Sequence, residues 1–285
     1  MKKILYTLVA LAFSSATFAQ TFGSNAVKSE EFYPGAIFSE NSLTSSEVKK
    51  IAITDKALVI VPSVAIKSFE ITDTSKESWL KKLEELYPLI AQQQQNVSFS
   101  FNTPSEVDLK VLDKYYNTYD AAKHYYGIEK SSKKIYRSIG ERITYSLDMD
   151  IPGSYITDEK YNEIKNQSPI LIASTYFGRR ADLLIESAQQ GNNIRTAFNI
   201  YKDKDTNRYN EAKEILYDAS IHMIFFGQNS IDVSDLTNQE MILKYIEFIT
   251  KPATKEDYYF PIRYNGIHLN NRGNYESDIM QDTYY

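Results

Sequence analysis

Residues 169–187, PILIASTYFGRRADLLIES, read as one extended segment rich in apolar and aromatic positions, with no internal Pro or Gly-Asn break. As one strand it would span about 60 Å, where an ordinary strand has about 5 or 6 residues. Ile170, Leu171, Ile172, Thr175, Tyr176 and Phe177 favour a strand over a helix through their β-branched and aromatic character. Before this segment, residues 31–43 are turn-like around Pro34-Gly35, and 56–71 read as strands interrupted at Pro62. Trp79, Leu83, Leu86 and Ile90 recur at helical spacing over 75–95, with Ser75 and Ser78 as candidate caps and Pro88 inside the pattern. A second helical pattern, Leu109, Leu112, Tyr115, Tyr116 and Tyr119, covers 105–137, and a third, with a charged middle, covers 193–219. Residues 234–249 complete the helical segments. Strands are predicted at 97–102, 141–149, 170–187, 220–227 and 258–269. They enclose two helical inserts, 104–137 and 188–218, so the predicted class is α+β, a sheet carrying two helical clusters.

Composition narrows the function. With 285 residues, 42% of them hydrophobic, the chain can bury a sizeable core, and its formal charge of −5 leaves no basic footprint for nucleic acid. Twenty-three Tyr against one Trp suit sheet faces and interfaces, where a ring is covered and its hydroxyl stays wet. MKKILYTLVALAFSSATFAQ has two lysines, a short apolar run and small residues up to Ala19, the plan of a secretory signal peptide over residues 1–20. The expected location is therefore secreted. No Cys is present, which removes disulfides, thiol chemistry and cysteine-ligated zinc. His124, His222 and His268 have no ligand spacing, so no metal and no cofactor is expected. No Gly-x-Ser-x-Gly, phosphate loop or dinucleotide fingerprint occurs, and the pair Asp148 and Asp150 is too common a pattern to carry a glycosidase; the chain does not read as an enzyme.

Several strings, taken in order, resemble the cholesterol-dependent (thiol-activated) cytolysins and their relatives with membrane-attack-complex/perforin domains. YPGAIF (33–38) looks like an early segment of that family, and ERITYSLDMDIP like the strand that ends its first hairpin. SPILIASTYFGRRADLLIES is similar to its Tyr-Gly-Arg strand, with Tyr176, Gly178 and Arg179 close to the pattern. FFGQNS stands where the family has a glycine pair that releases an edge strand, here Gly227 and Gln228, and FPIRYNGIHLNNRG resembles its fifth strand. The resemblance implies an elongated molecule with a bent antiparallel sheet whose helical clusters unfold into two β-hairpins of a barrel shared between subunits. It implies scaffold regions at 21–96, 149–169 and 270–285 and a pore-forming domain at 97–148 and 170–269. Candidate membrane residues are Leu109, Tyr115 and Tyr119 in the first insert and Ile194, Thr196, Phe198 and Ile200 in the second. A hairpin in lipid satisfies its backbone only in a closed barrel, so homologous subunits are the expected partners, with assembly before insertion.

Three departures qualify this expectation. The sequence stops at Tyr285, where the family's membrane-binding fourth domain would begin, so direct cholesterol binding is not expected and a longer, receptor-bearing partner is. Gln228 replaces the second glycine. The first insert carries Lys110, Asp113, Lys114, Asp120, Lys123, Glu129, Lys130, Lys133, Lys134 and Arg137, and a charge facing lipid near the midplane costs about 2–4 kcal/mol. A non-lytic regulatory or binding module on the same scaffold, joined to its partner by strand addition, is the competing expectation, and a surface adhesin the third.

Overall fold

The computed structural model describes residues 31–43, 48–93, 99–108, 112, 128, 132–150, 155–226 and 235–275. The elements follow in order: β1 (Ala36–Ser39), α1 (Glu40–Leu43), β2 (Lys50–Ile53), β3 (Leu58–Pro62), β4 (Phe69–Ile71), α2 (Lys76–Gln92), β5 (Phe99–Phe101), β6 (Ser105–Glu106), β7 (Lys134–Met149), α3 (Asp158–Ile164), β8 (Pro169–Ser187), α4 (Gly191–Lys202), α5 (Tyr209–Ile215), β9 (Ser220–Phe226), α6 (Asn238–Thr250), β10 (Pro261–His268) and β11 (Asn274–Tyr275). The class is α+β, with all eleven strands of the described residues in one antiparallel sheet.

The length of β8 follows from its partners. Along one side it pairs with β10 from Ile170 to Phe177 and then with β9 from Arg180 to Glu186. Along the other it pairs with β1 from Pro169 to Leu171 and then with β7 from Ser174 to Ser187. Four shorter strands are thus served in tandem by one 19-residue strand. Nearly all of β8 is buried on both faces, which explains a hydrophobic run without clean alternation.

Among the described residues, Phe32, Phe38, Ile170, Ile172 and Tyr264 form a small core at one end of the sheet, and two larger cores flank it. In the first of these two, Trp79, Leu83, Leu86 and Ile90 of α2 pack against Tyr145, Leu147, Leu171 and Phe177. Ser75 caps α2, accepting from Ser78 N at 3.3 Å, and the helix continues through Pro88 to Gln92. The YPGAIF segment is seated here, with Tyr33 stacked on Trp79 and Trp79 Nε1 donating to Pro34 O at 3.1 Å. Gly35 has φ 92°, and a Cβ there would lie 2.7 Å from both Leu58 Cδ1 and Thr74 Cγ2. The second core joins Ile194, Ala197, Phe198 and Tyr201 of α4 and Ile242, Tyr245 and Ile249 of α6 to Tyr136, Ala181, Leu183 and Ile185 of the sheet.

The helical expectation for 105–137 needs correction at both ends. Ser105–Glu106 is a strand, and β7 begins at Lys134. Tyr136, Ser138 and Gly140 face the second core while Ile135, Arg137 and Ile139 face the other way, so the segment alternates; its basic residues had given it the look of a charged helix end. The middle of that insert lies outside the described residues except for Leu112 and Ile128, which are both buried.

Candidate functional site

The points of interest meet where β8 passes from β10 to β9. Gly178 sits at this seam, its N–H donating to Phe260 O at 3.1 Å. The β7–β8 register shifts here: Ile143 opposes Gly178 and Tyr145 opposes Phe177, leaving Thr144 as the extra residue of a bulge. Gly178 has φ 154°, and an added Cβ would stand 1.9 Å from the Arg142 carbonyl oxygen.

Arg179 follows on the face that carries the second core and is fully buried. Its guanidinium donates to Phe248 O at 2.9 Å, Lys251 O at 3.2 Å and Pro252 O at 2.6 Å, and pairs with Asp257 at 2.8 Å. Arg142, its cross-strand neighbour, donates to Thr250 O at 3.1 Å and Ile249 O at 3.4 Å. The last carbonyls of a helix have no intrahelical donors and carry the negative end of its dipole, so two guanidinium groups satisfy the C-terminus of α6 from the sheet. Burial pushes the Asp257 carboxyl up, against the Thr254 N–H and Arg179, which pull it down. At its other end α6 begins with a capping box, Thr237 with Glu240.

The opposite face of β7 and β8 carries a ladder of charges. Asp182 is bound by Arg137 and, at 3.1 Å, by Arg180; Arg180 reaches Glu141 at 3.2 Å; Glu141 reaches Arg263 of β10 at 3.5 Å. Arg263 lies over the Tyr176 ring at 4.3 Å. Burial pushes the Glu141 carboxyl up, Arg263 opposes that, and Asp182 reinforces it. Arg137 and Lys134 therefore belong to β7, not to the charges of the first insert, and Arg137 is spent on a buried ion pair. Charges removed from water in this way must be paired, and the ladder pairs them across three strands.

The second insert is a helical pair, α4 and α5, between β8 and β9. Ile194, Phe198 and Ile200 are buried, and Thr196 is half-buried with its hydroxyl donating to Asn192 O at 2.9 Å. Asp218 ties the base of the insert together: it accepts from Ser187 Oγ at 3.1 Å and Ala188 N at 2.9 Å, and its carbonyl accepts from Lys133. The Ala188 N–H is the main pull that holds the Asp218 carboxyl below the usual range. Among the described residues β9 pairs with β8 alone, and Ile221, Ile224 and Phe226 are its buried positions.

The structure thus brings Tyr176, Gly178 and Arg179 to one seam and Ile194, Phe198 and Ile200 to the core beside it, with α6 touching both. Gly227, Gln228, Leu109, Tyr115 and Tyr119 lie outside the described residues. Sequence reading missed Asp257, Glu141 and Asp182 as partners. The visible signal for the last two was a charge on each strand inside an otherwise apolar pairing; Asp257 had none. Among the described residues no His, Asp or Glu group is arranged to hold a metal, and no helix is long and apolar enough to cross a membrane, which leaves strands unjudged.

The arrangement is the fold of the cytolysin-type toxins. Suilysin, a cytotoxin from Streptococcus suis, superposes with a TM-score of 0.69 at 16% identity, over 89% of this chain and 61% of its own. A non-hemolytic pneumolysin from Streptococcus pneumoniae gives 0.66 at 16% identity, over 89% and 61%, and a Gram-negative toxin 0.60 at 16%, over 89% and 60%. The chain spans about 60% of the length of these toxins. No family model and no curated protein matches the sequence. Identities this low carry the fold, and the expected sheet with its helical cluster holds at that level.

Proposed function

We propose that this protein is a secreted subunit of a pore-forming assembly of the cytolysin type. The observation that supports it most is the second insert: a helical pair, shared with no other strand pairing, packed against the sheet exactly between two antiparallel neighbours, β8 and β9, that could be lengthened through it. In this reading the two inserts leave the sheet as hairpins, Ile194, Thr196, Phe198 and Ile200 come to face lipid, and the outer edge of β9 pairs with a neighbouring subunit once the segment containing Gly227 and Gln228 frees it. The partners are copies of this chain or a longer homologue that carries a receptor domain and brings the assembly to the target membrane. Toxins of the same fold lend the reading its class.

The test is dye release from cholesterol-containing liposomes by the purified chain, alone and mixed with a full-length cytolysin-type homologue. Release in either arm beyond that of the homologue alone is expected. Unchanged release in both arms would reject a pore subunit and favour the regulatory module on the same scaffold. That second reading draws support from the charges of α5, since Glu211, Lys213 and Glu214 leave neither alternating face of that segment free of charge.

A further inference from the structure

The β8–β9 register makes a specific statement about the second insert. Pairs run from Arg180 opposite Phe226 to Glu186 opposite Ser220. Continued residue for residue, the same register places Ala188 opposite Asp218, Ile194 opposite Ala212, Arg195 opposite Glu211 and Tyr201 opposite Asp205. It closes on a three-residue loop, Lys202, Asp203 and Lys204. The two arms, 190–200 and 206–216, then match the about 9–11 residues that a tilted strand needs to cross a bilayer.

That loop already has a hairpin's shape. Three-residue hairpin loops combine a type I turn with a following residue in the left-handed region. Lys202 is the last helical residue of α4, Asp203 has φ −84° and ψ −1°, as the third position of a type I turn requires, and Lys204 has φ 56°. Lys204 N donates to Tyr201 O at 3.1 Å, the bond that closes such a turn, and Asp205 N to Ile200 O at 3.0 Å. The same two bonds make a Schellman cap for α4, so one local structure ends the helix and fits the hairpin.

Resting on the pore reading above, we propose that this turn is kept while both arms change from helix to strand in the β8–β9 register, and that Arg195 and Glu211 then form a cross-strand ion pair on the hairpin's polar face. Alternation assigns the faces. Ile194, Phe198 and Ile200 share one with Ala212 and with two charges of the second arm, Arg208 and Glu214; Arg195, Glu211, Lys213 and Asp205 share the other. In the soluble form Arg195 and Glu211 are exposed, and Glu211 is held by Arg208 at 2.7 Å. Conversion therefore moves Glu211 from its helical neighbour to Arg195, about 5 Å away between Cβ atoms in a strand pair.

Charge exchange in the full chain tests this. Arg195→Glu and Glu211→Arg each place like charges opposite one another, which should lower liposome dye release about two- to fivefold per hairpin pair and more in a ring that repeats it. The double exchange R195E/E211R should restore release, while the melting temperature of R195E should match wild type and those of the two variants at 211 should fall alike by no more than about 2–4 °C, the cost of losing the exposed Arg208–Glu211 pair. Single variants as active as wild type, or a double variant no better than the singles, would overturn the in-register pair. A rescue that appears equally in the melting temperature would also overturn it, by assigning the coupling to the soluble form. If the wild-type chain releases no dye in any arm, the pore reading itself falls and the hairpin with it.

Discussion

Replacing Arg179 with Met is expected to cost about 3–5 kcal/mol of stability and lower the melting temperature by about 6–20 °C. The reason is the asymmetry between losing one buried partner and losing both. Arg179 and Asp257 are each fully buried and 2.8 Å apart, so removing the cation leaves a carboxylate in the core and withdraws donors from three carbonyls at the end of α6. Arg142, which reaches only Thr250 O and Ile249 O, does not replace it. Arg179→Met combined with Asp257→Leu removes the stranded charge and should recover part of the loss. Thermal unfolding of the two variants decides the matter: a single variant within about 1 kcal/mol of wild type would mean that the pair does not hold α6 in place.

Gly178→Ala should be nearly as damaging, although it adds one methyl group. The added carbon falls 1.9 Å from the Arg142 carbonyl oxygen, and backbone cannot step aside as a side chain can. Strand β7 must then shift against β8 at the bulge where Thr144 donates to Phe177 O at 2.9 Å. A loss of about 3 kcal/mol is expected in chemical denaturation. Ala at Gly273, where the nearest atom belongs to the Asn271 side chain, is the control for removing a glycine from a looser site.

These two positions show what the sequence made legible. The length of β8 could be read because its apolar and aromatic run meets no breaker, and α2 because its stripe and its Ser75 cap agree. The second insert read as helical over 193–219 with a charged middle, and the structure shows why: Ile194, Ala197, Phe198 and Tyr201 lie at helical spacing and are all buried. The start of β7 was read as a helix end because Lys133, Lys134 and Arg137 look like a solvated charged stretch, whereas Arg137 is buried against Asp182 and only Lys134, paired with Glu106, stays exposed. Arg179 stood out only through a resemblance. Its partner lies beyond α6, in a turn whose sequence gives no sign of a core carboxylate, since long-range pairing leaves no periodic trace. Phe198 is instructive in another way. It is 1% exposed in the helical form, so a dye placed there would begin in an apolar setting and report little on insertion.

Thr196 is the better position, half-buried in the helical form and on the same strand face as Ile194 and Phe198. Asn199, also half-buried, lies on the opposite strand face and serves as its control. An environment-sensitive dye on Thr196→Cys, and separately on Asn199→Cys, should be followed while dye-free liposomes in the same mixture are permeabilised. The expected result is an emission shift towards an apolar setting at 196 with 199 remaining in water. Both dyes staying in water while permeabilisation proceeds, or both shifting alike, would contradict the conversion of this helical pair into a membrane hairpin.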